Sequence, residues 1–513
     1  MNKPNILFIT SDMQRADCFG AFAGRGVRSP HVEALARAGT RFDACITPNI
    51  VCQPARASIL TGMLPLTHGV HDNGIDLDPA IAADGFAGLL GRSGYQTTFI
   101  GKAHFSTFET FKATGSPECR HSSSQYDADW TGPYMGFDHV NLCIMGHLHR
   151  KRPPERPPAG QHYERWFYSR GEGDEALKLH TTALPPDTGA ANTWNSALPE
   201  AWHTSTWVAD QAIQSLKDRD AQRPICMWVS FPDPHHPYAP PEPWSRMYPH
   251  ETVTLPRHRT LDLDKRPWWH RASLEGEPQV SDPRLKEHRK NVSRVLNQTD
   301  AQLTHMTANY FGMISLIDHN VGRIMNAVRD MGIEENTLVV YTTDHGEFLG
   351  DHGLYLKGPM AYEGVLRVGM VLAGPGVPRG KVVADPVSTL DLAATFCDYA
   401  GLALPPGAQS RSLRPLMAGD AGGREAAYSE WSLLPVRCGV ALDLRTVRSR
   451  THKLTMEMTT GEGELYDLAN DPDEMQNLWS DPGHAAERRR MTELLRARPG
   501  SIRDRFDEPV GIY

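Results

Sequence analysis

Long hydrophobic runs are missing from this chain of 513 residues. Its apolar stretches reach only a strand's length, far short of the ~20 residues of a membrane-spanning helix, so no membrane partner is expected. Cysteine is sparse: eight residues, scattered, with no CxxC pair. That spacing argues against a zinc cage and against a disulfide framework. Positive charge is not in excess either. Lys and Arg total 53 against 61 Asp and Glu, a net charge of −8 with no long basic block, so a nucleic-acid partner is not expected. The chain passes from Met-Asn-Lys-Pro straight into a short apolar run, without the pattern of a signal peptide. Free thiols and the lack of a leader set the expectation of a cytoplasmic protein. No internal repeat is found.

Hydrophobic residues make up 40% and charged residues 22%, ordinary for a globular chain. Four apolar runs each end in a polar cluster. Residues 5–10 lead to Ser11-Asp12, and residues 96–100 to Gly101-Lys102-Ala103-His104. Residues 224–231 lead to Pro232-Asp233-Pro234-His235-His236, and residues 337–343 to Asp344-His345-Gly346-Glu347. Short continuous apolar runs suit strands buried on both faces. Helical patterns lie between them, over residues 31–38, 84–93, 208–217 and 302–331. This alternation implies an α/β fold, with a mixed, mostly parallel sheet flanked by helices. Ligands of such sheets bind beyond the carboxyl ends of the strands, where all four polar clusters fall.

Two stretches read as insertions forming loops over that crevice. Residues 114–196 are rich in Pro, Gly, Ser and His and carry the basic run Arg150-Lys151-Arg152, read as a solvated loop. Residues 254–298 are charged and contain Trp268-Trp269. Trp130, Tyr134, Trp202 and Trp269 are candidates for an aromatic or quaternary-ammonium pocket, although loop packing is the commoner use of such residues. A Pro/Gly/Ser-rich stretch at 401–415 marks a boundary. It divides a large α/β domain over 1–400 from a smaller α+β subdomain over 401–513, with short β runs and a charged helix near 485–496.

Residues 52–62 read Cys-Gln-Pro-Ala-Arg-Ala-Ser-Ile-Leu-Thr-Gly. Proline suits the first turn of a helix and glycine its end. Cys52 is therefore placed at a helix N-terminus, where free N–H groups and the dipole favour an anion. Arg56 adds a permanent, planar charge for an oxyanion. A lone cysteine is ordinarily a small packing residue. A thiolate phosphatase loop would need arginine where Ser58 stands.

A hard divalent cation wants oxygen ligands. Asp12 and Asp344 offer carboxylates at strand ends, and the nitrogen of His345 tilts selection toward a transition ion such as Mn2+. Arg56, Lys102, His104, His235 and Lys357 form a cationic set suited to a tetrahedral oxyanion. One of the histidines can protonate a departing alkoxide or phenoxide.

Together these residues resemble the type I sulfatases of the alkaline phosphatase superfamily, over nearly the whole chain. The matching pieces are Asn5-Ile6-Leu7-Phe8-Ile9 with Asp12, Cys52-x-Pro54-x-Arg56 with Thr61-Gly62, and Gly101-Lys102-Ala103-His104. Pro234-His235-x-Pro237, Asp344-His345-Gly346-Glu347, Lys357-Gly358-Pro359 and Leu465-Tyr466-Asp467-Leu468 continue the match. The resemblance implies an alkaline-phosphatase-like fold. It implies that a formylglycine-generating enzyme oxidises Cys52, and that the hydrated gem-diol is the nucleophile. Asp12, Asp344 and His345 then hold one divalent metal, Mn2+ or Ca2+, and Arg56 orients the diol. Lys102, His235 and Lys357 grip the transferred group, with Asn73 beside them, and His104 assists elimination. One hydroxyl attacks sulfur and expels the alcohol; the other loses its proton, and the aldehyde re-forms as sulfate leaves.

The implied substrate is a small sulfate monoester of the aryl or choline type, and a homo-oligomer is expected. One departure stands out. Met13 follows Asp12 where these enzymes usually carry Asp or Gln, and Gln14 comes next. A thioether is a poor ligand for such ions, so the shell is smaller or another group completes it. Phosphonate monoester hydrolases and phosphodiesterases share Cys-x-Pro-x-Arg and Asp-His. They tend to carry Tyr and Thr in place of Lys102 and His104, which favours sulfate here, with side activity toward phosphonates and diesters. A non-catalytic oxyanion-binding protein is the alternative of another class, and Met13 alone points to it.

Overall fold

The apolar runs fold as strands. A computed structural model describes residues 3–22, 24–143, 153–169, 173–291, 294–295, 297–419 and 422–513; the basic run at Arg150, Lys151 and Arg152 lies outside them. The first strands are β1 (Asn5–Ser11), β2 (Thr40–Ile46), β3 (Gln96–Gly101) and β4 (His139–Leu142). β5 (Ala183–Leu184) and β6 (Asn195–Ser196) pair only with each other. Then come β7 (Ile225–Ser230), β8 (Thr337–Thr343), β9 (Arg367–Ala373), β10 (Lys381–Val383) and β11 (Val387–Ser388). The central sheet runs β10-β2-β9-β8-β1-β7-β3-β4, with β11 also on β2. β9 runs antiparallel between β2 and β8, and the other pairs are parallel. The sheet is thus mixed and mostly parallel, as expected.

Both faces of β1 are buried. Ile6 and Phe8 pack with Phe86, Trp228 and Phe396, whereas Leu7 and Ile9 pack with Trp207, Ile317 and Ile324. The Phe8 ring lies 4.7 Å from Trp228 and 5.3 Å from Phe396. Each such side chain contributes roughly 1.5–3 kcal/mol by leaving water, which is why these strands read as continuous apolar runs. Helices Pro30–Ala38, Phe86–Arg92, Thr204–Asp218 and Asp300–Asp330 cover the sheet. The last starts with a capping box: Thr299 and Gln302 each bond the other's backbone N–H, at 2.9 and 3.3 Å.

The two expected loop insertions are corrected in part. β4 extends the central sheet, and helices His162–Ser169, Gly173–Thr181, Trp268–Glu275 and Pro283–Asn291 interrupt stretches that are otherwise irregular. Helices of two or three turns hold too few apolar positions to show a period, and tertiary packing stabilises them. Tyr163, Phe167 and Ala176, for example, join the core beneath the sheet. The aromatic candidates do not converge on one pocket. Trp130 packs on Tyr126 at 4.7 Å, while Trp202 and Trp269 belong to separate clusters.

The C-terminal part is an antiparallel meander of β12 (Ala426–Leu433), β13 (Leu442–Ser449), β14 (His452–Glu457) and β15 (Gly463–Asp467). Helix Ala485–Arg496 lays Met491 and Leu495 on Val447, Leu454 and Leu465. Among the described residues no helix is long and apolar enough to cross a membrane.

Candidate active site

Strand register builds the site. Ser11 pairs with Thr343, Thr10 with Ser230, and Ser230 with Gly101. Neighbouring strands lie ~4.8 Å apart, so the residues just past these ends, Asp12, Lys102 and Asp344, meet. The Asp12 N–H donates to the Asp233 carbonyl at 2.9 Å, which draws in the loop carrying His235.

Cys52 opens the buried helix Cys52–Thr61, which Gly62 ends at φ 70° by donating its N–H to the Ser58 carbonyl. A residue with a Cβ would be strained there. The Cys52 sulfur lies 3.0 Å from Lys357 Nζ, 3.2 Å from His345 Nε2, 3.7 Å from Asp12 Oδ1 and 3.8 Å from Lys102 Nζ. Burial and Asp12 push its thiol pKa up, yet Lys102, Lys357 and His345 outweigh them and bring it below the usual value. A thiol held beside three cations suits a reacting group better than a packing cysteine.

Each carboxylate divides its oxygens. Asp12 Oδ2 accepts from Lys102 Nζ at 2.5 Å and from Arg56 Nη2 at 3.3 Å, and Asp344 Oδ2 accepts from Arg56 Nε at 2.8 Å. The Oδ1 atoms lie toward His345 Nε2, at 3.8 and 4.0 Å. His345 Nδ1 contacts the Gly346 carbonyl at 2.8 Å, so it carries the proton and leaves Nε2 as a ligand. Ligand atoms of Asp12, Cys52, Asp344 and His345 all lie within 4.8 Å of one another, a donor set that fits one divalent cation. Burial pushes the Asp12 carboxyl up, but Lys102, Arg56 and Lys357 hold it well below the usual carboxylate range, as a ligand requires.

Met13 brings only a thioether to the site, its sulfur 3.9 Å from Lys357 Nζ, and a thioether is a poor ligand for a hard cation. Met13 sits at φ 66°, its N–H donates to Asp344 Oδ1 at 3.0 Å, and its carbonyl accepts from the Tyr310 hydroxyl at 2.8 Å. Gln14 turns away: its Oε1 accepts from the Ser11 and Tyr341 hydroxyls, both at 2.8 Å. Among the described residues the candidate metal set is therefore the smaller one.

Around it stand the cations. Lys357 Nζ also reaches His235 Nε2 at 3.1 Å, and Arg56 Nη1 spans the Lys102 carbonyl and Ser230 Oγ at 2.6 and 2.8 Å. Two buried groups carry orphaned polar atoms. Asn73 Oδ1 accepts from the Gln53 N–H at 3.0 Å, while its Nδ2 and both ring nitrogens of His104 have no partner among the described residues. Buried polar atoms without partners are costly, and a bound oxyanion would satisfy the Asn73 amide and whichever His104 nitrogen carries the proton. Burial, then Lys102 and Arg56, holds His104 well below its usual pKa, so it is neutral.

Three groups escaped the sequence reading. Ser230, at the end of β7, props Arg56. Glu118 accepts from the backbone N–H groups of His104, Phe105 and Ser106 and so shapes the turn that presents His104. Tyr513 places its hydroxyl 2.9 Å from His235 Nε2 and its ring 5.4 Å from that of His104. Glu118 lay in a presumed loop, and Tyr513 stands hundreds of residues from its neighbours, without a local motif.

Residues 4–402 match the sulfatase family profile, and residues 350–499 match one described as N-sulphoglucosamine sulphohydrolase, C-terminal. The chain belongs to the sulfatase family, within the alkaline phosphatase superfamily, and is a sulfuric ester hydrolase. An arylsulfatase from Clostridium perfringens is 28% identical over 495 residues, covering 93% of this chain and 90% of that protein. A choline-sulfatase from Rhizobium meliloti is 28% identical over 490 residues, covering 94% and 83%. The crystal structure of the phosphonate monoester hydrolase of Agrobacterium radiobacter superposes with a TM-score of 0.72 at 27% identity, covering 96% of this chain and 95% of that one.

Proposed function

We propose that this enzyme hydrolyses small sulfate monoesters of the aryl or choline type, using formylglycine made from Cys52 by a maturation enzyme and one divalent metal. The observation that carries this reading is the Cys52 sulfur, buried at its helix N-terminus within 3.0–3.8 Å of Lys357, His345, Asp12 and Lys102. Asp12, Asp344 and His345 would hold the metal, whose chemistry is Lewis-acid stabilisation of the attacking oxygen. Hydrated formylglycine would supply one hydroxyl to bond sulfur as the S–O bond to the leaving alcohol breaks, and a second whose deprotonation re-forms the aldehyde and breaks the C–O bond to sulfate. Lys357, Lys102 and the Asn73 amide would face the sulfate oxygens and stabilise charge that grows on them. Neutral His104 accepts the proton in the release step. All eight cysteines are buried and free, which supports a reducing, cytoplasmic setting.

Two results test the roles. Lys102→Ala should lower kcat/KM for an aryl sulfate about ten- to a hundred-fold, the worth of one charge-assisted contact. A phosphodiester, which covers one oxygen with carbon, should lose less. His104→Ala should leave a fast first release of phenol followed by slow turnover, seen as a burst in stopped-flow absorbance; a uniformly slow progress curve would remove His104 from the release step.

A second reading, hydrolysis of phosphonate monoesters or phosphodiesters, draws on the likeness to the Agrobacterium radiobacter phosphonate monoester hydrolase. A kinetic panel of aryl sulfate, choline sulfate, phosphonate monoester and phosphodiester separates the two. The sulfate reading requires a sulfate ester to give the highest kcat/KM.

A further inference from the structure

A small cavity of ≈ 60 Å³ shares Lys357 with the candidate active site. It offers about two waters' worth of space. Arg289, Arg294, Lys357, Trp431 and Arg437 line it, with no carboxylate among the described residues that do. Lys357 belongs to both places, since its ammonium lies 3.0 Å from the Cys52 sulfur.

The arginines are not equally satisfied. Arg437 is paired with Asp72 at 2.6 Å, and Arg294 donates to the Leu274 and Gly276 carbonyls at 2.9 and 3.0 Å. Arg289, on helix Pro283–Asn291, is 3% exposed. Its Nη2 donates to the Ile512 carbonyl, its Nε has no partner, and no carboxylate among the described residues forms an ion pair with it. Burial, then Arg437, pulls its pKa down to about 9, against a smaller upward pull from Asp72, which Arg437 already pairs. A buried charge without its own ion-pair contact is costly, and a ligand anion would offset that cost.

We propose that this cavity is a leaving-group subsite, in which Arg289 binds a second anionic substituent of the substrate, a carboxylate or sulfate. The subsite rests on the sulfate-ester reading, because Lys357 sets the distance between the transferred group and the second anion. Preferred substrates would then be anionic aryl or sugar sulfates rather than choline sulfate, whose leaving group is cationic.

The test compares 3-sulfooxybenzoate with phenyl sulfate. Wild-type enzyme should favour the carboxylate-bearing ester in kcat/KM by about ten- to a hundred-fold. Arg289→Met should bring that ratio close to one, and Arg289→Lys should keep part of it. A purely structural Arg289, holding only the Ile512 carbonyl, would lower both substrates alike and keep the ratio. A wild-type ratio near one, or a ratio unchanged in Arg289→Met, overturns the subsite. Competitive inhibition by 3-hydroxybenzoate against phenol needs no turnover of a sulfate ester and separates the two levels. Selective inhibition by hydroxybenzoate without sulfate-ester hydrolysis would keep the subsite and reject the sulfate reading; equal inhibition would reject the subsite.

Discussion

Cys52→Ala is expected to lower kcat/KM for an aryl sulfate by about ten-thousand-fold or more, the scale on which removal of a nucleophile is felt. The rest of the site would remain. Asp12, Asp344 and Arg56 hold one another through buried pairs of 2.8 and 3.3 Å that do not involve the sulfur. The substitution removes one atom from a helix start whose Gln53 N–H is held by Asn73, so the fold should persist with little change in melting temperature. Lys102 and Lys357 would still bind sulfate. The variant should therefore retain competitive inhibition by inorganic sulfate while losing turnover. Substantial residual turnover would mean that another group attacks sulfur.

Asp344→Asn should lower bound metal and activity together. The carboxylate serves three donors: Oδ2 accepts from Arg56 Nε, and Oδ1 takes the N–H groups of Met13 and His345 at 3.0 and 2.9 Å. Asparagine keeps the shape and one acceptor; turned toward Arg56 it keeps that partner, and its amide nitrogen then faces the Met13 and His345 N–H groups. Alanine would instead leave Arg56 short of a partner, at a cost of about 3–5 kcal/mol for breaking a buried pair. With the Met13 side chain unable to compensate, loss of one of two carboxylate ligands should reduce kcat/KM by about a thousand-fold, ~4 kcal/mol of transition-state stabilisation. Elemental analysis after dialysis should show metal well below one per chain. A chelator should inactivate the wild type, and Mn2+ or Ca2+ should restore it, whereas the variant should not recover at the same concentrations. Full metal content in Asp344→Asn would relocate the site.

The strand ends were legible because burial on both faces demands continuous apolar residues, so the polar clusters at Asp12, Lys102, His235 and Asp344 stand out against them. The helix of Cys52 was legible from Pro54 and Gly62, whose backbone demands are local. Other features depend on partners far away in the chain. β4 is four residues long and half-buried, so its place beside β3 has no periodic signature. The antiparallel course of β9 is set by its neighbours β2 and β8. Trp130, Trp202 and Trp269 lie in segments that resemble loops, yet each is absorbed by a different apolar cluster. Glu118, Arg289 and Tyr513 matter through contacts with residues 12 to 278 positions distant, which no spacing rule reaches.

The formylglycine assignment is tested most directly by mass spectrometry of the tryptic fragment of residues 42–56 from active enzyme. Cys45 lies in the same fragment, buried beside β11 and with its thiol pushed up by burial, and serves as an internal reference. The expected result is an intact thiol at Cys45 and, at Cys52, loss of sulfur with an aldehyde or its hydrate in its place, in a fraction that tracks specific activity across preparations. Full sulfatase activity with Cys52 wholly unmodified would contradict the mechanism.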